Sequence, residues 1–95
     1  MNQFIEIQEL LQQKADYVVR LQLIPYEGTP EIKESNGNKY LYVRKRVGGK
    51  LTSTYVGVYS EELHQVLLKS SKDARALRKK IRTVDKKLNS LGYEG

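Results

Sequence analysis

Catalysis needs nucleophiles, acids, bases or metal ligands held close together, and few of the 95 residues could supply them. His64 is the sole histidine and cysteine is absent, which excludes thiolate and multi-histidine zinc sites. Asp73 and Asp85 lie twelve residues apart in a helical pattern, so they form no evident carboxylate pair. Glu61 and Glu62 read as charges at a helix start. Neither a Gly-x-x-x-x-Gly-Lys phosphate cradle nor a Gly-x-Ser-x-Gly elbow occurs. The expectation is a protein that is not an enzyme and uses no cofactor or metal.

Binding is the chemistry the composition favours. The chain carries 17 basic and 11 acidic residues, a net charge of +6, which suits polyanionic partners. That charge is segregated. Residues 1–35 hold six acids and three bases, residues 36–59 five bases and no acid, and residues 60–95 nine bases and five acids. Two groups stand out in the basic parts. Tyr40, Tyr42, Arg44, Arg46, Lys50 and Tyr55 crowd the middle, where tyrosine and arginine could stack on bases or meet phosphates. The same residues suit a protein interface, or could pack hydroxyl-outward on the first helix or the 21–30 loop. Lys72, Arg75, Lys79, Arg82 and Lys86 step by 3 and 4 with no acid in the stripe. It reads either as a solvated outer face or as a row of phosphate contacts.

Three elements must position these groups: a helix over 1–24, a sheet over 31–59 and a long helix over 60–92. The expected fold is a single α+β domain over 1–95, large enough for one modest core. In the front helix, with Asn2 as N-cap, Phe4, Ile7, Leu11, Ala15 and Val18 form the apolar stripe, widened by Ile5, Leu10 and Val19. Pro25 ends that unit. Asn36-Gly37 and Gly48-Gly49 are turn signals between β-prone runs, giving a three-stranded antiparallel meander with Glu31–Ser35 as its first strand. A two-residue Gly48-Gly49 turn pairs Val47 with Lys50, Tyr42 with Tyr55 and Arg44 with Ser53. One face then carries Tyr40, Tyr42, Arg44, Arg46, Leu51, Ser53, Tyr55 and Tyr59, and the other Leu41, Val43, Val47, Val56 and Val58. A three-residue turn would instead pair Val43 with Tyr55.

Ser60 is the N-cap expected for the last helix, and Gly92 its C-terminal cap. Leu63, Leu67, Ser70, Ala74, Leu77, Ile81, Val84, Leu88 and Leu91 follow alternating steps of 4 and 3, a coiled-coil-like seam of about 46 Å. The front helix is too short to cover all of it. Val84, Leu88 and Leu91 are therefore expected to be exposed and to drive a homodimer, with the long helices antiparallel.

The hairpin pattern Lys39-Tyr40-Leu41-Tyr42-Val43-Arg44, Gly48-Gly49-Lys50, Ser53-Thr54-Tyr55-Val56-Gly57 resembles one in small bacterial helix–hairpin–helix proteins, some around mobile elements. Residues 67–93 are similar to segments that precede the Fic domain in some bacterial Fic proteins. The Fic catalytic loop, with its His-Pro-Phe start and Gly-Asn-Gly-Arg cradle, is absent, so the resemblance implies an accessory role beside a Fic-type partner and no AMP transfer. A three-stranded sheet followed by a helix is also similar to the arm-binding module of tyrosine recombinases, which reads the DNA major groove with its sheet. The leading expectation is a nucleic-acid-binding module, and the alternative a protein-interaction or regulatory module acting through the long helix. No run is apolar enough to span a bilayer and no signal peptide is evident, so a cytoplasmic location is expected.

Overall fold

The computed structural model describes residues 3–93. Its elements are α1 (Gln3–Gln22), β1 (Thr29–Ser35), β2 (Asn38–Val47), β3 (Lys50–Val58) and α2 (Glu61–Ser90). The fold is α+β: a helix, a three-stranded antiparallel sheet in the order β1-β2-β3, and a long helix. Asn2, the expected N-cap, lies outside the described residues. The chain forms two compact units, residues 24–74 and residues 1–23 with 75–95. Buried side chains form two clusters, one in each unit, where one core was expected.

In the sheet unit, both hairpins turn on two residues with positive φ: Asn36 and Gly37 at 52° and 79°, Gly48 and Gly49 at 58° and 82°. That backbone matches the right-handed strand twist, and asparagine and glycine adopt it at least cost. The Gly48-Gly49 turn sets the pairs Val47–Lys50, Arg44–Ser53 and Tyr42–Tyr55, as its length requires. β1 starts two residues earlier than expected, at Thr29. Leu41 and Val43 point to the inner face, where they are buried with Leu67 of α2 and flanked by Val56, Tyr59 and Leu63. Burying a side chain of this kind contributes about 1.5–3 kcal/mol.

A bulge corrects the expected faces near the end of β3. Tyr42 pairs with Tyr55, but Leu41 pairs with Gly57 and Tyr40 with Val58, leaving Val56 as the extra residue. One inserted residue reverses the alternation beyond it. Val58 consequently joins the outer face, 64% exposed, and Tyr59 packs beside the inner cluster rather than among the outer tyrosines.

α2 is one unbroken helix of 30 residues through Ser70-Ser71. Ser60 caps it, its Oγ accepting from the Leu63 amide at 3.1 Å. At the other end the amides of Gly92 and Tyr93 donate to the carbonyls of Asn89 and Leu88, a Schellman closure, and Tyr93 packs on the cluster containing Leu88. Leu67, Ser70, Ala74, Leu77, Val84 and Leu88 of the expected seam are all buried. Ser71, outside that seam, is buried as well.

In the helical unit α1 runs antiparallel to the second half of α2. Gln3 Nε2 donates to Leu91 O at 2.6 Å, Lys14 Nζ meets Asp85 Oδ1 at 2.8 Å, and Lys80 Nζ lies 5.6 Å from the Tyr17 ring centroid. Leu10, Val84 and Leu88 form its core, with Ile7, Leu11, Tyr17 and Leu91 packed around them. Two expectations are corrected here. The covered face of α1 centres on Leu10, with Ile7, Leu11, Lys14, Tyr17, Val18 and Leu21 partly buried around it; Ile7, Leu11 and Val18 of the expected stripe lie on this face, whereas Phe4 and Ala15 are exposed. Val84 and Leu88 are 4% and 3% exposed, so the strip expected to seek a second copy is already covered by α1. The expected stripe and the covered face overlap, and packing against α2 sets where the covered part ends. Lys14 belongs to the covered stripe because its aliphatic stem lies along the interface while its ammonium reaches Asp85. No helix among the described residues is long and apolar enough to cross a membrane.

Candidate functional site

Pairing from both turns assembles one outer sheet face. Across its three strands run the rows Thr29–Arg44–Ser53, Glu31–Tyr42–Tyr55 and Lys33–Tyr40–Val58, and Arg46 pairs with Leu51 beyond them. Paired residues share a face in an antiparallel ladder, so these side chains stand together.

Three tyrosines make the centre. The Tyr42 and Tyr55 rings meet edge to face, centroids 5.4 Å apart at 70°, and Tyr40 lies 6.3 Å from Tyr55. Such tilted pairs are favoured by the ring quadrupoles and hold each ring in place. Tyr55 is half exposed, at 51%, whereas Tyr40 and Tyr42 are partly covered. Lys33 Nζ stands 4.3 Å from the Tyr42 centroid, a cation–π contact.

Charge surrounds the rings. Glu31 is shared: its Oε2 is 3.6 Å from Arg44 Nη1, its Oε1 3.6 Å from Lys33 Nζ, and Ser53 Oγ donates to Oε1 at 3.4 Å. Arg46 Nη1 donates to Gly49 O at 3.0 Å, tying the guanidinium to its own turn. Each guanidinium has five N–H donors, so one such bond leaves most of the fork for a ligand. The face presents Lys33, Arg44 and Arg46 against a single carboxylate.

The candidate residues therefore separate. Tyr40, Tyr42, Arg44, Arg46 and Tyr55 come together. Lys50 does not join them, because it pairs with Val47 on the opposite face of the hairpin tip. Lys45 is on that side too, with Nζ 3.2 Å from Glu27 Oε2. Lys72, Arg75, Lys79, Arg82 and Lys86 are all exposed along α2, opposite its buried seam. Glu31 and Lys33 were missed. The Asn36-Gly37 turn, with the same two-residue geometry as Gly48-Gly49, places them opposite Tyr42 and Tyr40.

At the start of α2, Tyr59 Oη donates to Glu61 Oε2 at 2.8 Å and Gln65 Nε2 to Glu61 Oε1 at 2.9 Å. The Gln65 and Tyr59 bonds hold the Glu61 carboxyl below the usual glutamate range, and the bond to Glu61 pushes the Tyr59 phenol up. His64 sits beside this pair, its ring 5.8 Å from that of Tyr59. Among the described residues, no group of three histidine or carboxylate side chains could hold a metal ion.

Fold and site together define a small α+β protein whose sheet carries an aromatic, basic face. Residues 4–65 match the family described as domain of unknown function DUF6788, and the chain belongs to it. The match spans α1 and all three strands and ends near the start of α2, so it includes the sheet face and leaves out the helix stripe. No curated protein and no solved structure matches the chain.

Proposed function

We propose that this protein is a non-catalytic, cytoplasmic nucleic-acid-binding module whose contact surface is the outer face of the sheet. One observation carries the reading: Tyr55, half open to solvent, is in ring contact with both Tyr40 and Tyr42, with Arg44, Arg46 and Lys33 around them. Aromatic faces stack on bases whatever their sequence, and lysine and arginine neutralise the backbone. The exposed stripe from Lys72 to Lys86 is a second source of phosphate contacts along α2.

Binding of single-stranded and duplex DNA, followed by fluorescence anisotropy at two salt concentrations, tests this. Affinity should fall steeply with salt. The Arg44→Ala/Arg46→Ala variant should bind more weakly while melting within a few degrees of the unmodified protein, because both side chains are exposed. Tyr55→Ala should cost about 1–3 kcal/mol of single-strand affinity if its ring carries a base. Unchanged affinity in the arginine variant removes the sheet from the binding surface.

A protein-contact role is the second reading, and α1 favours it. Phe4, Ile5, Val19 and Leu23 are large apolar side chains more than half exposed, at 64%, 51%, 53% and 76%. A second copy or a Fic-type partner would find its apolar surface there, rather than at the covered end of the α2 seam.

A further inference from the structure

From residue 74 to residue 90 the sequence holds seven bases and one acid, Asp85. That acid serves one flank of the helical hairpin, where it pairs with Lys14 at 2.8 Å. On the other flank Lys79, Lys80, Thr83 and Lys87 of α2 and Gln13 and Tyr17 of α1 line a cleft of about 240 Å³ above the buried Val84. Lys80 and Lys87 are outside the outer stripe of α2 and are brought to this cleft by the packing of α1.

The lining holds three lysines and no carboxylate. On α1 the neighbouring Asp16 accepts from Gln12 Nε2 at 3.5 Å. The Thr83 hydroxyl donates to the Lys79 carbonyl at 3.1 Å, leaving the polar character of the walls to three ammonium groups, the Gln13 amide and the Tyr17 phenol. Three like charges around one cleft repel, and an anion between them relieves that repulsion. An ammonium offers three donors and no acceptor, so the ligand must accept and carry high charge. Lysines bind phosphate as point charges, and a multiply charged tetrahedral oxyanion can accept from several of the ammonium groups at once. The volume falls below the ~300–1,000 Å³ of sites that enclose whole small molecules, which fits single phosphate groups.

We propose that this cleft binds phosphate oxyanions, supplied by the backbone of a nucleic acid. The oxyanion site stands on the geometry of the helical hairpin, and only the choice of source rests on the function proposed above.

The test is a titration of the isotope-labelled full chain, followed by NMR, with sodium tripolyphosphate and separately with a short DNA duplex at low salt. Tripolyphosphate should give saturable shifts concentrated at Gln13, Tyr17, Thr83 and Lys87. Lys80→Gln/Lys87→Gln should abolish them, and Lys69→Gln, a charge loss elsewhere on α2, should retain them. With duplex DNA the double variant should bind more weakly, and its log–log salt dependence should be shallower by about 1–2. Tripolyphosphate binding with DNA affinity unchanged in the double variant would keep the oxyanion site and overturn the nucleic-acid source. Failure of the unmodified protein to bind DNA would sink the nucleic-acid reading and leave the tripolyphosphate result standing. Shifts spread over every basic residue, or a double variant that titrates like the unmodified chain, would overturn the site itself.

Discussion

Leu67 and Leu88 sit three heptads apart on the same helix, at equivalent steps of one apolar seam, yet different structures bury them. Leu67 packs against Leu41 and Val43, two residues of one strand that face inward only because the hairpin turns have the right length. Leu88 packs with Val84 against Leu10 of an antiparallel helix, flanked by the Lys14–Asp85 pair. Around Leu67 the buried face includes the small residues Ser70, Ser71 and Ala74, whereas Val84 and Leu88 are bulky. A seam repeated along a long helix can thus be covered by a sheet in one stretch and by a helix in another. A heptad pattern therefore says that a surface will be covered, but not by what.

The largest effects should come from emptying either cluster. Leu67→Ala and Leu88→Ala should each cost about 2–5 kcal/mol in denaturant unfolding, as each removes a well-packed side chain. Leu67, at 1% exposure, is expected to be the costlier. A neutral Leu88→Ala would mean that α1 does not hold the second half of α2, and would restore the strip once expected to pair with a second copy.

A smaller effect, confined to the sheet unit, is expected at Gly28. Its φ is 147°, and a Cβ placed there would lie 2.8 Å from the Arg44 carbonyl oxygen. Gly28→Ala should cost about 1–3 kcal/mol through strain and the displaced strand. Because the crowded carbonyl belongs to Arg44, nucleic-acid affinity should fall with it, whereas the Leu88 substitution should leave the sheet face intact. Equal binding by the two variants would erase this distinction between the regions.

The smallest effect concerns pH at the start of α2. The lowered Glu61 carboxyl adds stability above the ordinary glutamate range, and that stability is lost as pH falls through its depressed value. The raised Tyr59 phenol adds stability below its ordinary value, lost as pH rises through the elevated one. Melting curves from about pH 3 to pH 11 should show Glu61→Gln flattening both limbs and Tyr59→Phe the alkaline limb and part of the acid one. The bond between them is exposed, so shifts of a few degrees at most are expected. Parallel profiles for all three proteins would mean the bond does not form in solution.

Much of the sheet face was legible because strand alternation has a period of two and the turn length follows from Gly48-Gly49. The Tyr42–Tyr55 and Arg44–Ser53 pairs come from counting alone. Val58 and Tyr59 escaped that counting, since a bulge at Val56 reverses the parity after it; its one local signal is the in-strand Gly57, which fits a bulge and a close backbone approach equally well. Glu31 and Lys33 were within reach of the same method from Asn36-Gly37. The lysine cleft was not, because Lys80 and Lys87 acquire a common role only when Gln13 and Tyr17 lie opposite them.

Local chemistry alone determined the helix at either end of the chain, the two tight turns, the capping by Ser60 and Gly92, and the basic centre. Each depends on residues within a few positions of one another, where propensity, φ preference and charge act directly. Tertiary packing decided which edge of the apolar stripe of α1 is covered, why Lys14 lies at an interface, and what shields Val84 and Leu88. Neighbouring positions around one helix differ in free energy through the partner each meets, and that partner is some seventy residues away.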